Sequence, residues 1–388
     1  MRPRTRVVTV TAFVTSGVLA AGACKKAPEP GDPIAGLTAE QMDMFERGRA
    51  VFDSVFTPET GLGPLFNADA CGECHEDPVS GGPGDEVELH ASQLLENGFC
   101  DPYAERGGPV FQLAVTPALN QALGIDAEPV PEGAARGLRS TPDVLGFGLL
   151  DAVPDSTLLA LADPDDADGD GISGRVARDF SGKIGRFGRK ALVATLLDFN
   201  EGAFPVEQGV TDPAVPDEGT VGGQPMPDGV DPRPEPEIDG ESVRLADAFV
   251  RFLAAPAPLK LSSAGRQGQR IFSEIGCASC HVPSLRTGAN DVAALAYKEV
   301  KAYTDLLLHD MGPDLADICF GPVATSSEFR TEPLMGLRLS ESFLHDGSAE
   351  SIEDAIVAHG GEGAASRDAF WGLSDDDRGA LLEFLGSL

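Results

Sequence analysis

Cys71-Gly72-Glu73-Cys74-His75 and Cys277-Ala278-Ser279-Cys280-His281 are two copies of one pattern, C-x-x-C-H, and their reading decides what the chain is built around. Two thiols spaced in this way on a tight turn can add to the two vinyl groups of one porphyrin. The next residue, histidine, then sits under the iron. The pattern predicts two covalently bound c-type haems, on Cys71 and Cys74 and on Cys277 and Cys280, with His75 and His281 as proximal ligands. A redox dithiol or a zinc site is the alternative use of the same thiol spacing.

The contexts of the two pentads also echo each other. Gly48-Arg49-Ala50-Val51-Phe52 precedes the first, and Gly268-Gln269-Arg270-Ile271-Phe272 precedes the second. Arg139-Ser140-Thr141-Pro142 follows the first, and Arg330-Thr331-Glu332-Pro333 follows the second. Ordered similarity of this kind points to a duplicated unit. Residues 37–52 have a helical pattern, with Thr38 and Gln41 as a capping box. Residues 204–240 are rich in Pro, Gly and acids without periodicity, and mark a connection. Residues 241–254 regain helical spacing. Ser374, with Asp375, Asp376 and Asp377 behind it, caps a closing helix.

The chain has 388 residues, with 29 Lys+Arg against 62 Asp+Glu and a formal charge of −33. That balance excludes a nucleic-acid binder, which needs a basic footprint to displace counterions. Hydrophobic residues make up 42%, enough for a core, while 46 Gly and 30 Pro predict long loops. Arg2, Arg4 and Arg6 precede an apolar run over 7–20, too short for a mature span of about 20 residues. The run ends in Ala21-Gly22-Ala23-Cys24, similar to a lipobox that would make Cys24 the lipidated N-terminus. Ordinary cleavage that leaves a free thiol is the alternative. Export implies a compartment that permits disulfides, and the two remaining cysteines, Cys100 and Cys319, are expected to pair.

The duplicated motif, with Gly61-Leu62-Gly63-Pro64-Leu65-Phe66-Asn67-Ala68, Gly185-Arg186-Phe187-Gly188, Leu308-His309-Asp310-Met311-Gly312, Phe343-Leu344-His345-Asp346-Gly347 and His359-Gly360-Gly361-Glu362, resembles the bacterial di-haem cytochrome c peroxidase superfamily. Within it the chain is similar to the di-haem oxidoreductases sometimes called thiol oxidoreductases. Arg189 departs from the family, which usually places tryptophan there. The resemblance implies a mainly α chain of two cytochrome c-like haem domains in tandem with long loops. The corresponding division is a signal peptide at 1–23, a lipid-anchored tether at 24–38, haem domains at 39–203 and 241–388, and the connection at 204–240.

The resemblance also implies ligands. Counting on from the His345-Asp346-Gly347 motif places His359 as the sixth ligand of the C-terminal haem, with Met311 as its rival and a helix-end histidine as the alternative. His90, beyond Gly81-Gly82-Pro83-Gly84, corresponds to a displaceable cap on the N-terminal haem, or else to a surface histidine. His309 and His345 would bond propionates or loop backbone. Asp166, Asp168 and Asp170 before Gly171 copy the start of a calcium loop, although Ala177 stands where the bidentate glutamate belongs; a hydrated acidic loop is the alternative.

The implied function is an exported, envelope-bound peroxidase. Electrons from a small donor, such as a basic cytochrome, would pass through the C-terminal haem to peroxide at the N-terminal one. Glu132, Asp143 and Asp151 are candidate proton donors. A non-catalytic electron-transfer protein and an oxidant of a partner protein are the alternatives.

Overall fold

Two glycine-centred helix crossings organise the chain, seen in a computed structural model that describes residues 27–388. The expected leader and Cys24 lie outside the described residues. Helix Ala39–Phe52 begins at the capping box of Thr38 and Gln41 and packs against helix Gly240–Phe252. At their crossing a β-carbon on Gly48 would stand 2.0 Å from the Leu245 carbonyl oxygen. Helix Ser263–Glu274 packs in the same manner on helix Asp375–Leu385, where a β-carbon on Gly268 would stand 1.9 Å from the Ala380 oxygen.

One helical turn beyond each glycine, on the same face, lies a phenylalanine. Phe52 puts its ring 6.0 Å from that of His75, and Phe272 lies 6.4 Å from His281. The repeated Gly-x-x-x-Phe therefore has a physical meaning: the glycine admits the partner helix and the phenylalanine packs on the histidine of the pentad. Phe45, Phe52 and Phe249 join Leu145, Leu150 and Phe187 in the larger core. Phe272, Tyr303, Phe370 and Phe384 form a second core. Each fully buried ring of this kind contributes about 1.5–3 kcal/mol.

Helix Gly240–Phe252 belongs by sequence to the segment after the Pro-rich connection. It nonetheless closes the cradle of the first motif, because Val243, Ala246, Phe249 and Val250 bury their face there.

The expectation of a mainly α chain is corrected. Helix accounts for 31% and strand for 14%, and the described residues form six small antiparallel sheets. The largest is built on Val87–Leu94, which pairs with Ala135–Ser140, Val110–Phe111 and Cys100–Asp101. Leu89 and Ala91 alternate onto one face and pack with Tyr103 and Phe111 in a small core of their own. The physical reason is the Gly/Pro punctuation: the long connections fold back as short ribbons, which satisfies their backbone polar groups where helices cannot form. A disulfide joins Cys100 of this sheet to Cys319. No helix among the described residues is long and apolar enough to cross a membrane.

Candidate haem sites

The first pentad forms the short helix Cys71–Cys74, closed by the His75 amide on the Cys71 carbonyl at 3.1 Å. The Gly-rich segment folds under it. Gly81 donates to the His75 carbonyl at 2.9 Å, and β-carbons on Gly82 and Gly84 would stand 1.9 Å from the carbonyl oxygens of Asp77 and Cys74. His75 Nδ1 lies 2.9 Å from the Pro142 carbonyl oxygen. Gln208 Nε2 reaches Cys71 Sγ at 3.5 Å, while its Oε1 is buried without a partner. Asn67 holds the half-buried Glu207 at 2.9 Å. Burial, and then the neighbouring charge of Glu88, raises the Glu207 carboxyl well above its usual range.

The second pentad makes a single tight turn, with the His281 amide on the Cys277 carbonyl at 3.0 Å. His281 Nδ1 lies 3.0 Å from the Tyr303 carbonyl oxygen. Opposite stands His359, its Nδ1 2.7 Å from the Ala355 carbonyl oxygen. The two ring centres are 6.4 Å apart across a cavity of about 260 Å³, which Met311 and His345 also line.

These residues fit haem. Metal–imidazole bonds run about 2.0–2.1 Å, so two rings sharing one metal stand roughly 6 Å apart between centres. A backbone carbonyl on each Nδ1 fixes the tautomer that leaves Nε2 as the ligand atom. Burial lowers His75 and His359, and with the nearby His359 it takes His281 down to about 4, so all three rings are neutral. Burial pushes the Cys71 and Cys277 thiols up to about 11, the reverse of an activated dithiol. Among the described residues no group of three His, Cys, Asp or Glu ligands converges at either pentad.

The other sequence candidates separate. His309 lies between Asp305 at 2.9 Å and Glu362 at 2.7 Å. Burial opposes its charge, but the bonds to Asp305, Cys280 and Glu362 lift it to about 12, and both ring nitrogens are engaged. His345 stacks on Phe329 at 4.2 Å and lies 3.4 Å from Asp317. His90, on strand Val87–Leu94, bonds Glu88 at 2.8 Å and meets Phe320 edge-on; it makes no ring contact with His75. Among the acids, Glu132 is exposed, and Asp151 is paired with Arg251 at 2.6 Å. Asp143 lines the His281 cavity, and burial, reinforced by Glu332, pushes it up to about 8. Asp166, Asp168 and Asp170 come together within 4.8 Å, each also accepting a loop amide.

Sequence reasoning missed the bridge between the sites. Pro142 holds His75, and two residues earlier Ser140 accepts from Arg189 at 2.9 Å through its carbonyl. Arg189 in turn pairs with Glu332 at 2.9 Å, which also takes Arg330 at 2.7 Å. Arg139 through Asp143 thus touches both sites. The repeated Arg-x-x-Pro was the signal for it.

Paired sites of this construction define an oxidoreductase that carries two haems. The chain belongs to the family described as "Di-haem oxidoreductase, putative peroxidase", whose model matches residues 125–388. No match was found among curated proteins. Solved structures similar to it include hydrazine synthase of Kuenenia stuttgartiensis, at 12% identity over 100% of both chains and a TM-score of 0.43. A MauG-like protein associated with microbial copper homeostasis matches at 16% identity over 95% of this chain and 94% of that one, TM-score 0.42. The diheme peroxidase BthA of Burkholderia thailandensis E264 matches at 15% over 92% and 88%, TM-score 0.43. The assignment rests on the family match and not on these likenesses.

Proposed function

We propose that this oxidoreductase is an exported enzyme that reduces peroxide with electrons from a small donor. Cys71 with Cys74 and Cys277 with Cys280 hold haem covalently in this reading, His75 and His281 lie beneath, and His359 faces His281. Haem held there would supply one-electron redox chemistry, which in this reading runs from the His281 site to the His75 site.

The observation that carries the reading is an asymmetry. His281 has a facing imidazole at 6.4 Å. Among the described residues no histidine ring contacts His75, because Glu88 and Phe320 hold His90. A haem held between two imidazoles would suit electron transfer, and one held by a single imidazole would suit a substrate. Pro142 keeps the Nδ1 proton of His75 engaged and its ligand nitrogen basic. Asp143, pushed up to about 8 by burial and Glu332, lines the His281 cavity beside the Pro142 that bonds His75, and is the acid of the segment joining the two sites that would carry a proton between them.

The Cys100–Cys319 disulfide supports export, since such bonds persist in oxidising compartments. Lipid on Cys24 would hold the protein at the cell envelope. The acidic surface suits a cationic donor such as a small basic cytochrome, whose docking would weaken as salt rises. The calcium reading of Asp166, Asp168 and Asp170 rests on their convergence alone.

A redox titration of the holoprotein followed by EPR, with peroxide consumption measured alongside, tests this. One saturated low-spin iron, one exchangeable iron and turnover of peroxide are expected. Two saturated irons and no turnover would leave a non-catalytic electron-transfer protein.

A further inference from the structure

We propose that Glu218, Asp231, Glu235 and Glu237 form a binding site for one calcium-class cation in the Pro/Gly-rich segment, outside both haem sites. One carboxylate oxygen from each of the four lies within 4.8 Å of the others. Such proximity of like charges requires a counter-charge or protons. Among the described residues no Lys or Arg side chain pairs with any of them. The nearby Arg233 instead donates to the Glu237 backbone carbonyl at 3.2 Å.

A second observation points to a ligand. Glu237 is only 4% exposed, and its Oε1 is buried with no hydrogen-bond partner. Its other oxygen is fully used, accepting the Thr211 amide at 2.7 Å and the Thr211 hydroxyl at 3.1 Å. That bonding holds the carboxylate in place with one oxygen left over. Glu218 repeats the arrangement: Oε1 accepts the Gly219 amide at 3.1 Å and Oε2 is buried and unpartnered. Asp231 Oδ1 is engaged by the Arg233 amide at 3.0 Å, and Glu235 Oε2 shares the single Thr211 hydroxyl proton with Glu237 Oε2. Each carboxylate is thus fixed by one oxygen, leaving the second for a common ligand. Burial and mutual repulsion push Glu218 up to about 8 and Glu237 to about 7. The exposed Asp166 cluster has no buried orphan of this kind.

The donor set selects the cation. Four carboxylates with no nitrogen or sulfur suit a hard ion. Calcium–oxygen bonds of about 2.3–2.6 Å give a coordination sphere about 5 Å across, which accommodates ligand atoms up to 4.8 Å apart. Magnesium needs a sphere of about 4 Å and near-ideal octahedral geometry. The ion would tie residues 211–237 to the first haem site. A β-carbon on Gly61 would stand 2.9 Å from the Glu237 Cβ, and the Gln208 that reaches Cys71 accepts the Gly63 amide at 3.0 Å.

The test is calcium titration of chelator-treated holoprotein by isothermal calorimetry, with thermal unfolding in calcium and in chelator. Wild type should bind calcium and unfold at a higher temperature when loaded. Glu218→Gln with Glu237→Gln should lose one equivalent. Glu235→Gln, at an exposed position that leaves the fold intact, should weaken that equivalent by about tenfold or more. Asp166→Asn with Asp168→Asn should retain it. The proposal is overturned if wild type takes up no calcium, or if all the variants take up as many ions as wild type with unchanged affinity. In either case the four acids are a protonated cluster.

Discussion

His281 and His359 face each other across one cavity with ring centres 6.4 Å apart, each turning its Nδ1 to a main-chain carbonyl. His359→Ala should convert one iron of the holoprotein from low-spin to high-spin and leave the other unchanged. His359→Met should keep it low-spin and raise its potential, because thioether ligation does so. EPR and a redox titration read both, and an unaltered spectrum in the alanine variant would remove His359 from the ligand set.

The two helix crossings leave no room for a methyl group. Gly48→Ala would meet the Leu245 oxygen and Gly268→Ala the Ala380 oxygen, and backbone cannot rotate away. Each should destabilise by about 1–3 kcal/mol in denaturant unfolding. The spectral change should be local: at the His75 haem for Gly48→Ala and at the His281 haem for Gly268→Ala. Equal perturbation of both haems would deny that each crossing serves its own site.

Asp317 supports the acid side of stability. Burial opposes its charge, but His345, Arg139 and Lys190 hold its carboxyl well below the usual range. A carboxyl depressed in the folded state stabilises above its unfolded value of about 3.9, and that contribution is lost as pH falls below it. Asp317→Asn should cost about 3–5 kcal/mol at neutral pH, since two buried cations lose their partner. It should also flatten the acid limb of the stability–pH curve. An acid limb as steep as that of wild type would assign the acid sensitivity elsewhere.

Asp143 should appear in the pH profile of peroxide turnover. As a proton donor with a value near 8 it is competent below that pH and spent above it, so the wild-type rate should fall on the alkaline side. Asp143→Asn should be slower by about 10²–10⁴-fold and lack that limb. A variant with the wild-type profile would leave proton supply to another group.

The Cys100–Cys319 bond spans a sequence separation of 219 residues, so its loss frees much of the unfolded chain. Cys100→Ser with Cys319→Ser should cost about 2–5 kcal/mol in denaturant unfolding of the holoprotein. A loss within error would mean that the loops it joins are already fixed by other contacts.

The sequence showed the chemistry better than the architecture. The pentads, the Gly-x-x-x-Phe echoes and the cap at Thr38 act over a few residues, where local spacing determines geometry. Strand Val87–Leu94 was missed because its partners lie at 100–101, 110–111 and 135–140, and pairing of that kind has no local period. Helix Gly240–Phe252 was legible as a helix, but its partner was not, since its apolar face fits either cradle equally well in one dimension. Glu237 was invisible for another reason: in a stretch dense with acids, only burial separates the one with an orphaned oxygen from its solvated neighbours.

The placement of helix Gly240–Phe252 also sets an order of events in the making of the protein. The first pair of thiols, at 71 and 74, is sheltered by a helix that begins only at residue 240, and the second, at 277 and 280, by one that begins at 375. A chain that emerges from its N-terminus presents each thiol pair before the helix that will cover it. In the reading proposed above, haem would be attached while both cradles are still open, and each would shut only when a distant segment arrives.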